Sequence, residues 1–256
     1  MKSLLLALAA VASLWGQANR AAPRTDPNSR FAHQQLLAKT KAGDIDIYFE
    51  GDSITRRWGA TDYPQLLENW KKNFFGWNAA DFGWGADRVE NVLWRLENGE
   101  LDGINPKVIV LLAGTNNVGN RAPANGIDAA VNDVTKGLAA VVRVMQSKAP
   151  NATIILTGIF PRNDNMDVMP EIDAINANLA KMADGRKIRY LDINGQLADG
   201  DGKLREDMMN TDKLHPAIGG YQVWADALKP ILTKLLGPPA KDDYAPAPTG
   251  DPSARR

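Results

Sequence analysis

Five residues, Val108-Ile-Val-Leu-Leu112, put an apolar side chain on both faces of any strand they form. A strand without a polar face has to be covered above and below, and a parallel sheet with helices on each side does that. The flanking sequence repeats the unit. Strand-like runs at about Asp46 to Glu50, Trp77 to Phe82, Val108 to Leu112, Thr153 to Thr157 and Ile188 to Ile193 alternate with stretches of helical spacing. The helical stretches are Phe31 to Lys41, the segment after Pro64, a segment capped by Asp87 and ending at Gly99, about Ala124 to Ala149, the region of Ile172, Ile175 and Leu179, and about Pro216 to Leu236. Together they predict an α/β fold, a three-layer α/β/α sandwich. Its five-stranded parallel sheet is expected in the flavodoxin-like order 2-1-3-4-5 with right-handed crossovers.

The ends of the chain read differently. Met1-Lys2-Ser3, the apolar Leu4 to Trp15 and the small-residue signal Gly16-Gln17-Ala18 have the layout of a secretory signal peptide over residues 1–18. Residues 19–30 are polar and broken by proline, as a linker is; 31–236 read as one folded domain, and the proline-rich 237–256 as a disordered tail. No cysteine is present, so disulfides and thiolate metal sites are excluded. Thirty basic residues balance thirty acidic ones, and no charge field calls for nucleic acid or an anionic membrane.

The first strand stops at Gly51-Asp52-Ser53, which delivers a serine to the carboxyl edge of the sheet, where open α/β sheets hold their ligands. Between residues 30 and 250 the only other serine is Ser147, near a helix end. A serine is a nucleophile only with a base beside it and donors ready for the oxyanion. Two histidines are available. His33 precedes every strand and is expected to be a solvated surface residue, whereas His215 follows the fifth strand in Asp212-Lys-Leu-His215-Pro. An aspartate three positions before an imidazole can accept from one ring N–H and leave the other nitrogen as general base, although the same spacing suits a capping aspartate beside a surface histidine. Donors are offered by the Ser53 N–H, the turn Gly83-Trp84-Gly85-Ala86, and Asn116 in Gly114-Thr-Asn-Asn117. Each turn alone is equally an ordinary connection. Convergence at one sheet edge is what favours chemistry.

These four ordered blocks, Gly51-Asp-Ser53-Ile-Thr, Gly-Trp-Gly-Ala86-Asp, Gly-Thr-Asn116-Asn and Asp212-Lys-Leu-His215, resemble those of the SGNH (GDSL-type) hydrolase superfamily. The stretch from Asp87 through Val110 is most similar to the platelet-activating-factor acetylhydrolase catalytic-subunit branch. The resemblance covers about residues 45 to 236. It implies Ser53 as nucleophile, His215 as base and Asp212 as its orienting acid, with the Ser53 and Ala86 N–H groups and the Asn116 amide as oxyanion hole. It also places Asp52, Trp84, Gly85 and Asn117 where substrate would be met. Ala86 departs from the glycine usual at that position: its N–H survives, but a positive φ there would strain an alanine. Gly85 is the alternative donor. Asp81, where the family usually has asparagine, reads as structural.

The implied activity is hydrolysis of short-chain, acetyl-type carboxylic esters through an acyl-enzyme. The donor is a small-molecule or carbohydrate ester, with a lysophospholipid as a further option. No cofactor or metal is called for, since two separated histidines cannot make a zinc set. The protein is expected to be exported, periplasmic or extracellular, as a monomer or homodimer. Trp58, Trp77 and Trp84 could line an acyl or sugar site or simply pack, and Arg56 and Arg57 could meet an anionic group or pair with local acids. A carbohydrate-binding module on the same scaffold is the non-enzymatic alternative. A phosphate binder lacks its glycine-rich loop, and an α/β-hydrolase lacks its Gly-x-Ser-x-Gly elbow.

Overall fold

The structure, a computed structural model, describes residues 17–119 and 126–255. Five parallel strands, β1 (Ile47–Gly51), β2 (Ala79–Asp81), β3 (Val108–Leu112), β4 (Thr153–Thr157) and β5 (Ile188–Leu191), form one sheet in the order β2-β1-β3-β4-β5. The fold is the expected three-layer sandwich. Alternation along the strands divides the core in two: Tyr48, Ile109, Leu111, Ile154 and Leu156 face one side, and Ile47, Phe49, Val108, Val110 and Ile155 the other.

On the first side lie α1 (Pro27–Ala42), α4 (Val89–Arg95), α5 (Ile127–Lys148) and α6 (Met169–Met182). The opposite side carries α2 (Ser53–Gly59), α3 (Pro64–Phe74), α7 (Asn194–Leu197) and α8 (Ile218–Leu236). An aromatic cluster of Phe49, Trp58, Trp70, Phe74 and Trp224 fills that second layer, so Trp58 is a core residue. Trp77 is likewise packed, its indole N–H donating to Gly237 O at 3.0 Å. No described helix is long and apolar enough to cross a membrane.

The ends depart from the sequence expectation. Residues 1–16 of the expected signal peptide lie outside the described residues. Ala18 is fully buried, with its N–H on Asp133 Oδ1 at 3.0 Å, so packing begins upstream of the expected linker. That linker is itself anchored: Ala22 N–H donates to Glu90 O, Arg24 pairs with Asp26 and Asp87, and Asp26 caps α1. The tail beyond Gly237 is not detached either. Ala240 N–H donates to Gly76 O, Asp243 accepts from Gly76 N–H, Thr249 O accepts from Thr61 N–H, and Asp251 joins Asn28 and Asp62. In both segments composition signalled exposure, but specific polar partners on the domain hold the chain in place.

Candidate active site

At the end of β1 the chain turns sharply into α2. A Cβ at Gly51 would fall 2.3 Å from both Leu112 O and Thr55 Oγ1, so only glycine lets the strand end lie this close to its neighbours. Asp52 caps α2 by accepting from Ile54 N–H at 2.9 Å, and Ser53 is the first helical residue. A backbone N–H in a first helical turn has no partner within the helix, so that of Ser53 is not used by the α2 ladder.

The loop before α8 brings the imidazole to it. His215 Nε2 lies 2.8 Å from Ser53 Oγ, and His215 Nδ1 lies 2.8 Å from Asp212 Oδ2. The other carboxylate oxygen accepts from the N–H groups of Leu214 (3.1 Å) and His215 (2.9 Å), closing a tight turn in which Lys213 takes a φ of 58°. Burial opposes ionisation of Asp212, yet those two N–H groups and the imidazole hold its carboxyl down at about 2. Burial, with the nearby Arg57 and Arg162 cations, holds the His215 imidazole below its ordinary value against the pull of Asp212. The imidazole is therefore neutral at neutral pH, with Nδ1 donating to an ionised carboxylate and Nε2 able to accept from the serine hydroxyl.

The same loop is fastened by residues that the sequence reading did not single out. Asn163 and Asp164 donate their N–H groups to Lys213 O at 2.8 and 3.2 Å, and the Asn163 side chain bridges the N–H and O of Leu204. Arg162 donates to Thr115 O at 3.0 Å. These positions follow β4 and were legible only as a strand end closed by proline.

The remaining donors stand on two neighbouring loops. Ala86 is exposed and has a φ of 61°, the left-handed region that the sequence flagged as costly for alanine. The Asn116 side chain donates to Asp87 O at 2.8 Å, and Asn116 O accepts from Arg88, so the two loops are tied directly together. A Cβ at Gly83 would lie 2.4 Å from Arg56 N, which sets how closely the Ala86 loop packs on α2.

Several expected roles fall differently. Asp87 does not cap α4, whose first turn is closed by Asn91 accepting from Arg88 N–H; the buried Asp87 carboxylate binds Arg95 at 2.7 Å instead. Asp52, expected beside substrate, is 1% exposed and serves as the α2 cap. Asn117 is also buried, accepting from Val89 N–H and donating to Glu90. Trp84 is wedged under Arg56 and donates to Ser29 Oγ; it lines a cavity of about 220 Å³ whose walls include His33 and Trp94 but neither Ser53 nor His215. Only Gly85 of that group keeps an open side, its carbonyl turned onto Arg24. His33 is not solvated, because its Nδ1 meets Glu100 at 2.6 Å and its ring leans on Trp94. Asp81 is structural, accepting from Gly59 and Gly83 N–H groups. Arg56 and Arg57 pair with Asp62 and Asp212.

Beneath the loops sits a buried ionic cluster. Arg95 donates to Glu50, Asp87, Glu100 and the carbonyls of Phe82 and Gly51, so one guanidinium holds the ends of β1 and β2. Burial, only partly offset by Arg95, pushes the Glu50 carboxyl up to about 8.

The sequence pattern of the GDSL-like Lipase/Acylhydrolase family matches residues 49–223. Among curated relatives, the platelet-activating factor acetylhydrolase IB subunit alpha2 of Rattus norvegicus is 33% identical over 210 residues, covering 80% of this chain and 83% of its own. The alpha1 subunit of Homo sapiens is 31% identical over 223 residues, covering 86% of this chain and 88% of its own. Among solved structures, a GDSL-like lipase from Bacteroides thetaiotaomicron superposes with a TM-score of 0.63 at 20% identity, covering 80% of this chain and all (100%) of its own.

Proposed function

This chain belongs to the GDSL-like lipase/acylhydrolase family and is a carboxylic ester hydrolase, and from that premise we propose that Ser53, His215 and Asp212 carry the reaction on short acyl esters. The observation that carries the reading is the unbroken chain of contacts from the Ser53 hydroxyl through both imidazole nitrogens to Asp212. Ser53 Oγ attacks the ester carbonyl while His215 Nε2 takes its proton, forming the C–O bond of a tetrahedral intermediate. The N–H groups of Ser53 and Ala86 and the Asn116 amide receive the developing oxyanion. Collapse breaks the bond to the alcohol, which leaves with the proton from His215, and water then releases the acid by the same steps.

The short-acyl preference rests on the acetylhydrolase relatives. A groove of about 740 Å³, lined in part by Tyr63, Leu66, Asn210 and Ile218, opens beside Asp212. Its walls include Arg57 and Asp212 but neither Ser53 nor His215, so the alcohol half of the substrate is read from the family alone, as a small-molecule or carbohydrate ester. Export is read from the basic start and apolar Leu4 to Trp15.

The test compares p-nitrophenyl acetate with its octanoate homologue for the intact protein and for Ser53→Ala, alongside fluorophosphonate labelling. Acetate should be hydrolysed faster, and the variant should lose about 10³-fold or more of the rate and all labelling. Equal hydrolysis by the variant would refute the mechanism; faster octanoate turnover would refute only the acyl preference. Recovery of the mature protein outside the cytoplasm without its first residues would support export, and an intact cytoplasmic chain would exclude it.

A further inference from the structure

We propose that Arg57 is a positioning residue for ester hydrolysis, holding the Asp212 carboxylate in register with the His215 imidazole. The proposal rests on the Ser53, His215 and Asp212 reading and adds to it a fourth side chain. Ser53 and Arg57 stand four positions apart on α2, and side chains at that spacing share a helix face. Asp212 and His215 are three apart on the opposing loop. Ser53 Oγ meets His215 Nε2 at 2.8 Å, and Arg57 Nη1 meets Asp212 Oδ2 at 2.9 Å. The four groups close a ring, with the helix as one side and the loop as the other.

The carboxylate shows why the ring needs its fourth member. Asp212 accepts from Leu214 N–H, His215 N–H and His215 Nδ1, all within its own turn. Among the described residues, Arg57 is the one donor that reaches this carboxylate from another element. Without it, among the described residues, the acid and imidazole are tied to the helix that carries the hydroxyl through the Ser53–His215 contact alone, and the carboxylate has no bond to that helix. The guanidinium is itself steadied over the Tyr63 ring, 5.4 Å from its centroid.

As a stability element the pair counts for little, because its side chains are 24% and 39% exposed, and exposed ion pairs are screened by water. Its effect is geometric and electrostatic. The imidazole is faced by Arg57 from α2, by Arg162 (paired with Asp164) from the segment after β4, and by Asp212 from its own loop. Removing one cation from that set raises the pH at which the base loses its proton.

Arg57→Gln and Arg57→Lys, assayed on p-nitrophenyl acetate across pH, test the proposal. Arg57→Gln should lower kcat about tenfold with KM changed less than about threefold, and should move the acid limb of kcat/KM upward by about half a pH unit. Arg57→Lys should restore part of kcat and return the limb toward the wild-type position. In an Asp212→Asn background, Arg57→Gln should cost less than about twofold further, because the group it acts through is gone. A wild-type kcat and unmoved limb in Arg57→Gln, a loss confined to KM, or full additivity with Asp212→Asn would each overturn it. Should the Gln variant not fold, the limb position in Arg57→Lys and the same comparison in the Asp212→Asn background decide the matter. The Ser53→Ala experiment stands apart: activity surviving there removes the underlying reading, whereas a dead Ser53→Ala with a normal Arg57→Gln removes only this one.

Discussion

Ser53 Oγ and His215 Nε2 stand 2.8 Å apart although 162 positions separate them in the chain. The contact sets the pH dependence of the reaction. The imidazole accepts a proton only when neutral, and burial with Arg57 and Arg162 holds it below its ordinary value of 6.5. Activity should therefore rise with pH through a midpoint below 6.5 and stay level through neutrality. Asp212, held down at about 2, remains ionised throughout and adds no limb of its own. A kcat/KM profile on p-nitrophenyl acetate checks this, and a midpoint above 6.5 would contradict the burial argument. Asp212→Asn, which leaves the imidazole without its acceptor, should lower kcat by about 10² to 10⁴.

Ala86 holds a φ of 61°, where a Cβ crowds the backbone. Its role as donor needs only the N–H, so Ala86→Gly should keep kcat within about threefold and gain up to about 1 kcal/mol, the relieved strain less the entropy of glycine. Ala86→Val, branched at the crowded atom, should lose about 1–2 kcal/mol. Urea unfolding of both variants gives the answer. If glycine destabilises the protein, the left-handed turn is not strained as described.

The strands and the four loops were legible because their signals are local: apolar runs bounded by Gly51-Asp-Ser, Gly-Trp-Gly-Ala, Gly-Thr-Asn-Asn and a proline after Thr157. Ser53 could be read for the same reason, at a punctuated strand end, whereas Asp212 and His215 lie in the loop before α8 and were read from their own three-residue spacing. What stayed hidden is pairwise and long-range. Nothing near Arg95 in sequence announces Glu50, and nothing near Asn163 announces Leu204. Asp52, Asn117 and Trp84 looked available because they sit beside functional residues in the chain, yet each side chain turns inward to satisfy a helix end or a neighbouring loop. The tail read as unpacked because it lacks apolar residues; backbone bonds to Gly76 and Thr61, which composition does not encode, hold it.

Arg95 stabilises the carboxylates of Glu50, Asp87 and Glu100 in a space closed to water. Truncating one side of such a cluster leaves charge without a partner, at a cost of about 3–5 kcal/mol. Arg95→Met should reach that loss near about pH 8 and show less of it near about pH 5, because the buried acids hold protons in the folded state more strongly than in the unfolded one. Burial already pushes Glu50 to about 8 and Asp87 to about 6. Urea midpoints at the two pH values test the sign; a loss that grows toward acid would reverse it.

Removing residues 237–256 should weaken the domain without unfolding it. Neither core cluster contains a residue beyond Leu236, so the sheet and its helices keep their packing. The cut does remove acceptors and donors for the Trp77 indole, Gly76, Asn78, Thr61 and Asn28. At about 1 kcal/mol or less for each exposed bond, a net loss of about 1–3 kcal/mol is expected, with native circular dichroism retained. A truncated protein as stable as the full chain would show that these contacts contribute nothing.

Asp52 carries the clearest pH-linked strain near the site. One carboxylate oxygen caps Ile54, while the other is buried with no hydrogen-bond partner among the described residues. Burial drives the carboxyl up to about 7, with Asp87 pushing the same way and the Ile54 N–H, Arg162 and Arg95 holding it back. The unfolded chain titrates near 3.8, so below that pH both states are protonated and the contribution to stability is complete. Between 3.8 and about 7 the folded state keeps a proton that the unfolded state has released, and stability falls as pH rises; above about 7 the loss is complete. An asparagine at this position would keep the capping oxygen and carry no charge at any pH. Asp52→Asn should therefore match the parent near about pH 4 and exceed it by about 1–2 kcal/mol near about pH 8, less than the full shift converts to because the amide brings a donor of its own into the buried site. Asp81 and Asp87 impose a slope of the same sign on both proteins, so the measurement is the difference between the two unfolding free energies at each pH. Parallel curves would mean that the Asp52 carboxyl is ionised at ordinary cost, and the burial argument for the Gly-Asp-Ser turn would fail.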